Sequence, residues 1–189
     1  SMTEYGGLEG ILSENMKSGN VLTNYAKGKF AVGEYGIQQA KLKNKIFIHM
    51  RLFYTFGPAQ RSNSLINLIY RFFENNETPE FYPGEKYRDY IHIDDVVKGI
   101  KLLCNVNQST IVNLGSGKSI KLQDFILKFW ETLGGNLDDL KFVEKINIDE
   151  ERQPNCFSDQ TRLYELIKWK PIITVDEGIQ LTVDKLKSK

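Results

Sequence analysis

Residues 46–53, Ile-Phe-Ile-His-Met-Arg-Leu-Phe, constrain this chain more than any other segment. The run is almost continuously apolar. It reads as a strand buried on both faces, which is the situation of a strand in a parallel sheet covered by helices. Gly57-Pro58 closes it. The flanking pattern agrees. Residues 1–23 are turn-rich, with Gly6-Gly7, Gly10 and Gly19. A helix is expected from Thr23 or Asn24, both good N-caps, with an apolar stripe at Ala26, Phe30, Gly33, Ile37 and Ala40. Further helices are expected over 65–73, from a cap at Asp94 to about 103, over 122–133, near 160–168 and over 175–187. Short strands are expected at 87–93, 111–114 and 140–146. Strands alternating with helices, without repeats or long linkers, predict an α/β fold.

Bulk properties exclude several classes. The chain has 189 residues, enough for one ordinary core. Lys and Arg total 25 against 24 Asp and Glu, a net charge of +1, so nothing favours nucleic acid or an anionic membrane surface. No apolar run approaches the ~20 residues of a membrane span. The first twenty residues are polar and partly acidic, so they are not expected to be a signal peptide. Cys104, in an apolar helical run, is expected to be a buried thiol. Neither it nor Cys156 belongs to a metal-ligand cluster. A cytoplasmic, reducing setting follows.

Tyr25 and Lys29 carry the chemistry. Four residues apart on a helix, they lie on one face about 40° apart. A phenol titrates near ~10 and is a poor proton donor or acceptor at neutral pH. A nearby ammonium favours the phenolate and brings it towards the working range. The pair suits proton transfer to a hydroxyl or carbonyl, although the same spacing also occurs on ordinary amphipathic helices.

Other motifs carry less on their own. Gly115-Ser116-Gly117-Lys118-Ser119 invites a phosphate-loop reading, but the glycine required five positions before Gly117 is Val112, so a strand-ending turn is expected. Arg88, in Arg88-Asp89-Tyr90-Ile91-His92-Ile93-Asp94-Asp95, is either a phosphate fork or half of a surface pair with Asp89. Arg152 is either a second phosphate ligand or a solvated charge. His49 and His92 read as core or strand histidines.

Taken in order, these segments resemble the extended short-chain dehydrogenase/reductases that act on nucleotide sugars, the NAD-dependent epimerase/dehydratase group. Ser1-Met2-Thr3-Glu4-Tyr5-Gly6 looks like that family's Ser/Thr-x-x-x-Tyr-Gly strand end, and Tyr25-x-x-x-Lys29 is similar to its catalytic pair. Arg51-Leu52-Phe53-Tyr54-Thr55-Phe56-Gly57-Pro58 resembles its Arg-Leu-Phe-Asn-x-Tyr-Gly-Pro, and residues 88–95 its Arg-Asp-Phe-x-x-Val-Asp-Asp. Asn113-Leu114-Gly115-Ser116-Gly117 and Trp169-Lys170-Pro171 match two further segments.

The resemblance implies roles. Tyr25 would be the general acid/base. Lys29 would lower its pKa and hold the nicotinamide ribose of NAD or NADP. Ser1, with Thr3 nearby, would hydrogen-bond the reacting sugar oxygen. Phe53 and Tyr54 would lie near nicotinamide and sugar, and Arg88 and Arg152 would bind the substrate's diphosphate. Where the family often has Asn, this chain has Tyr54. Where its 4,6-dehydratases carry Asp-Glu, this chain has Met2 and Thr3, which speaks against dehydration; its Glu4-Tyr5-Gly6 ending looks more like that of 4-keto-6-deoxyhexose reductases, with a 4-epimerase or a non-catalytic sugar-nucleotide-binding remnant as alternatives.

The implied architecture is the C-terminal part of a Rossmann-type doubly wound sheet plus a small α/β substrate lobe. Residues 1–58 would be a Rossmann remnant. Residues 59–189 would form mostly the substrate lobe, with about 88–115 returning to the sheet. The glycine fingerprint Gly-x-x-Gly-x-x-Gly occurs nowhere in the sequence, so the N-terminal dinucleotide-binding half is expected to be absent. Apolar faces left uncovered would then be shared in a homodimer or strand-swapped oligomer.

Overall fold

A computed structural model describes residues 1–20, 23–82, 86–143 and 155–188. In chain order its elements are β1 (Gly10–Leu12), α1 (Asn24–Leu42), β2 (Ile48–Leu52), β3 (Tyr54–Phe56), α2 (Leu65–Glu74), β4 (Glu80–Phe81), β5 (Tyr87–Arg88) and β6 (Tyr90–His92). There follow α3 (Ile93–Leu103), β7 (Thr110–Leu114), β8 (Ile120–Lys121), α4 (Leu122–Leu133), β9 (Lys141–Phe142), β10 (Cys156–Ser158), α5 (Thr161–Ile167) and α6 (Val175–Lys187). The α/β alternation is as expected.

The apolar run is two strands, not one. β2 pairs in parallel with β7, Ile48 opposite Thr110 through Leu52 opposite Leu114. At Phe53 the chain changes partner. The Phe53 N–H donates to the Leu114 carbonyl at 3.0 Å, and the next N–H, of Tyr54, donates to the Asp89 carbonyl at 3.0 Å. β3 then pairs in parallel with β6. The strand expected at 87–93 is divided at the same level. β5 joins a second sheet, parallel to β10 and antiparallel to β8, while β10 lies parallel to β1. The cause is Asp89, which sits between β5 and β6 and spends its carboxylate on the turn after β7 and on Ser158 of β10. Of the strand expected at 140–146, the described part is β9, which pairs in parallel with β4. The remainder of that segment lies outside the described residues.

Three apolar clusters hold the elements together. One gathers Phe56, Tyr90 and the inner faces of α2, α4 and α6. A second joins β2, β7, α3 and α5 through Ile91, Val96, Leu103, Val112, Leu114 and Leu163. A small third cluster of Met2, Tyr5, Leu12, Phe53 and Cys156 lies under the N-terminal turn.

Two local expectations are corrected. The cap of α3 is His92, whose Nδ1 accepts from the Asp94 N–H at 3.3 Å. β6 runs straight into the helix, so Asp94 falls in the first turn, where its charge favours the helix N-terminus. Cys104 is exposed, because Leu103 takes the last inward position of α3 and the next residue turns out.

Candidate functional site

Thr23 starts α1 by accepting from the Ala26 N–H at 3.1 Å. That places Tyr25 and Lys29 in regular helix, on one face, both exposed. The Lys29 ammonium stands 5.6 Å from the centroid of the Tyr25 ring. Among the described residues Lys29 pairs with no carboxylate. The buried side of α1 is narrow. Only Ala26, Gly33 and Ala40 are fully buried, and Phe30 and Ile37 are half-buried.

The segment carrying Ser1 and Thr3 is not a strand end. Met2–Tyr5 form a 3-10 turn, capped by Ser1 and ended by Gly6 in the left-handed region at φ 60°. The reason is a reciprocal cap. The Thr3 N–H donates to Ser1 Oγ at 3.4 Å, and Glu4 reaches back to the Ser1 nitrogen at 2.5 Å. Ser1 Oγ and Thr3 Oγ1 are 3.0 Å apart, so two hydroxyls stand together. This turn packs against α1 and β2. Burial holds the Ser1 amino group below its ordinary pKa, the Glu4 carboxylate opposes that, and the charges of Arg51 and Lys29 add to it.

Behind the hydroxyls lies a buried ion cluster. Both Glu4 carboxylate oxygens meet His49 Nε2, at 3.0 and 2.9 Å, and Arg51 Nε donates to Oε2 at 3.1 Å. Burial alone would raise the Glu4 pKa, but the hydrogen bonds from His49 and the Ser1 nitrogen prevail and hold it at about 2. The Arg51 guanidinium lies 4.7 Å over the Tyr5 ring, and the Tyr5 hydroxyl donates to Asn113 Oδ1 at 2.7 Å.

Phe53 is buried in the small third cluster. Tyr54 is half-buried, and burial pushes its hydroxyl up to about 12 against the pull of Arg88. The Arg88 guanidinium lies 4.8 Å over the Tyr54 ring, and Nη1 donates to the Tyr87 carbonyl at 3.1 Å. Arg88 and Asp89 are both buried, so they are not a surface pair. The Gly115-Ser116-Gly117 turn serves Asp89 and is a strand-ending turn, as expected. Arg152 lies outside the described residues. The third cluster therefore ties the Ser1 turn to Phe53, Tyr54 and the β5–β10 pair, while α1, the helix that carries Tyr25 and Lys29, packs against the same turn.

Glu4, Asp89 and Asn113 are the residues that the motifs did not single out as a group. One signal was present. His49 and Arg51 alternate in an otherwise apolar strand, on one face, and two such side chains inside a core require a buried acceptor. Among the described residues no group of His, Cys, Asp or Glu could hold a metal ion, and no helix is long and apolar enough to cross a membrane.

Comparison with known proteins gives the following. The model of the NAD dependent epimerase/dehydratase family matches residues 1–115. A UDP-glucuronate 4-epimerase of Thermodesulfobacterium geofontis is 25% identical over 181 residues, 95% of this chain and 55% of that protein. The structure of a UDP-N-acetylglucosamine 4-epimerase from Methanobrevibacter ruminantium, in complex with UDP-N-acetylmuramic acid, superposes with a TM-score of 0.86 at 22% identity, covering 100% of this chain and 61% of that one. A dTDP-glucose 4,6-dehydratase from Bacillus anthracis, in complex with NAD, gives 0.84 at 18% identity, covering 98% and 59%. The chain thus spans about half to three-fifths of the length of these proteins. The family match begins at residue 1, so it lends no support to the expected absence of an N-terminal half.

Proposed function

This chain belongs to the NAD dependent epimerase/dehydratase family, and from that premise we propose that it carries the acid/base and substrate-lobe parts of an NAD(P)-dependent nucleotide-sugar oxidoreductase, a 4-keto-6-deoxyhexose reductase. The observation that supports this reading is the exposed face of α1, where the Lys29 ammonium lies against the Tyr25 ring, on a helix packed against the turn that bears the Ser1 and Thr3 hydroxyls.

In this reading Tyr25 donates its phenolic proton to the sugar oxygen as the ketone becomes an alcohol. Lys29 stabilises the phenolate left behind. Ser1 and Thr3 hydrogen-bond the reacting oxygen. The free donors of Lys29 fit the ribose hydroxyls of a nicotinamide cofactor, which when bound supplies the hydride. Tyr54 lines the sugar site and holds Arg88, the diphosphate ligand, with Arg152 as the second. Elimination of water would need an acid beside the hydroxyls. Met2 and Thr3 are not acids, and Glu4 is wholly buried and committed to His49 and Arg51, which favours reduction over dehydration. The second reading is a 4-epimerase, favoured by the activity named for the Thermodesulfobacterium and Methanobrevibacter proteins.

The corresponding lobes are residues 1–58 with about 88–115, and the remainder of 59–189. Free Cys104 and Cys156 fit a reducing, cytoplasmic setting. A helix face bearing exposed Val32, Tyr35 and Leu42 fits burial against a second copy.

The test is an NMR titration with UDP-, dTDP-, CDP- and GDP-sugars, each as the 4-keto form and as both C4 epimers. We expect shifts at Tyr25, Tyr54 and Arg88, strongest for a 4-keto sugar. Equal response to two C4 epimers would favour the epimerase. No response at these residues to any compound would refute both. Since the glycine fingerprint is not among these 189 residues, they alone are proposed to hold NADPH only weakly and to turn over no sugar. Calorimetry showing micromolar binding would overturn that part.

A further inference from the structure

We infer that Glu4 is a positioning residue, setting the Ser1–Thr3 hydroxyl pair against the Tyr25–Lys29 face of α1. The inference rests on the reading above and adds a residue to it. A carboxylate in an apolar core is costly unless every oxygen is engaged, and here each contact leads to a different part of the site. Glu4 Oε1 takes the Ser1 nitrogen at 2.5 Å, closing the turn that bears the two hydroxyls. Both oxygens take His49 of β2, and Oε2 takes Arg51. The Glu4 carbonyl accepts from Ser18 Oγ at 2.7 Å, which fixes the far side of the turn.

His49 completes the link to α1. A β-carbon at Gly33 would stand 2.8 Å from His49 Cδ2 and 2.9 Å from Nε2, so the imidazole edge lies directly on the helix backbone. Gly33 is one turn beyond Lys29. The sequence of contacts Ser1–Glu4–His49–Gly33 therefore runs from the hydroxyls to the helix that carries the phenol and the ammonium. On the other flank, Arg51 rests on the Tyr5 ring and Tyr5 is anchored to Asn113 of β7. Apolar side chains at 4, 49 and 51 would fill the same space. Charged groups add direction, because His49 and Arg51 each meet the carboxylate at a fixed angle.

The experiment compares wild type, Glu4→Gln and the triple variant Glu4→Val/His49→Val/Arg51→Met, which restores apolar packing without directional bonds. Three quantities are read: melting temperature, hydrogen exchange at the Glu4 and Gly6 amides that close the turn, and the 13Cε shift of Lys29. The turn amides are expected to exchange about ten-fold faster in Glu4→Gln, and melting to fall as well, because His49 and Arg51 lose their charged partner. The Lys29 shift is expected to move in the same variant. The triple variant should show the same two changes with near-normal melting. Should it fail to fold, Glu4→Gln still decides the matter. An unmoved Lys29 signal and slow turn amides in Glu4→Gln would overturn the inference and leave Glu4 a structural ion pair. The sugar-nucleotide titration of wild type fails or succeeds separately, so loss of the functional reading is distinguishable from loss of this one.

Discussion

Ser158 donates twice to Asp89, from its amide at 2.9 Å and from its hydroxyl at 2.6 Å. The same carboxylate accepts from the Ser116 amide and hydroxyl, each at 2.6 Å, and from the Gly117 amide at 3.1 Å. A single buried side chain thus joins β10, the turn after β7 and the junction of β5 with β6. Asp89→Ala strands all these donors and should cost about 3–5 kcal/mol, while Asp89→Asn, keeping one acceptor, should cost about 1–3 kcal/mol. Urea midpoints at constant m-value measure both. A loss below about 1 kcal/mol for the alanine variant would contradict the assignment.

Acid should weaken the fold through Glu4. Its folded pKa of about 2 lies below the ordinary 4.5. A depressed carboxylate contributes stability that is complete above its unfolded pKa and is lost as pH falls through the folded one. That window runs from pH 4.5 down to 2 and is worth roughly 3 kcal/mol. Unfolding free energy measured from pH 6 to 2.5 should fall more steeply in wild type than in Glu4→Gln. Parallel curves would show that Glu4 does not carry the acid limb.

Two glycines of α1 should respond with opposite sign. Gly28 has open space where a β-carbon would go, so Gly28→Ala should gain up to about 1 kcal/mol from helix propensity. At Gly33 the added carbon meets the His49 ring at 2.8–3.0 Å. Overpacking should outweigh propensity there, for a net loss of about 1–2 kcal/mol. Thermal melts of the two variants decide it, and a stabilised Gly33→Ala would mean that the helix–strand spacing is softer than described.

Association should depend on the outer face of α1. Val32 and Leu42 are 58% and 78% exposed, and Tyr35 lies between them at 64%. Light scattering should find a dimer, and Val32→Asp should shift it to monomer without lowering helix content. A wild-type monomer at all concentrations would remove this expectation.

Much of the architecture was legible because period and composition report it directly. The 46–53 run signalled a parallel sheet, and Thr23 signalled the helix that aligns Tyr25 with Lys29. What periodicity cannot report is a change of partner within one run, which is why 46–53 and 87–93 were each read as single strands. The motif around Phe53 suggested a place near nicotinamide and sugar but could not show that its side chain packs with Met2, Tyr5 and Cys156. The turn at Ser1 was read as a strand end because its reciprocal cap depends on Glu4 bending back on the chain. Glu4 itself was invisible as a buried ion, since its partners stand 45 and 47 residues away.

The change of partner at Phe53 makes residues 48–56 a splice between two sheets. Its first half is laced to β7 and its second to β6, with successive amides of Phe53 and Tyr54 crossing the joint. A force applied to Tyr54, such as a ligand wedged against its ring, would be felt by two hydrogen-bonded ladders at once. Strain at that point cannot be relieved within one sheet alone, so movement of the β3–β6 pair and distortion of the β2–β7 pair are mechanically one event.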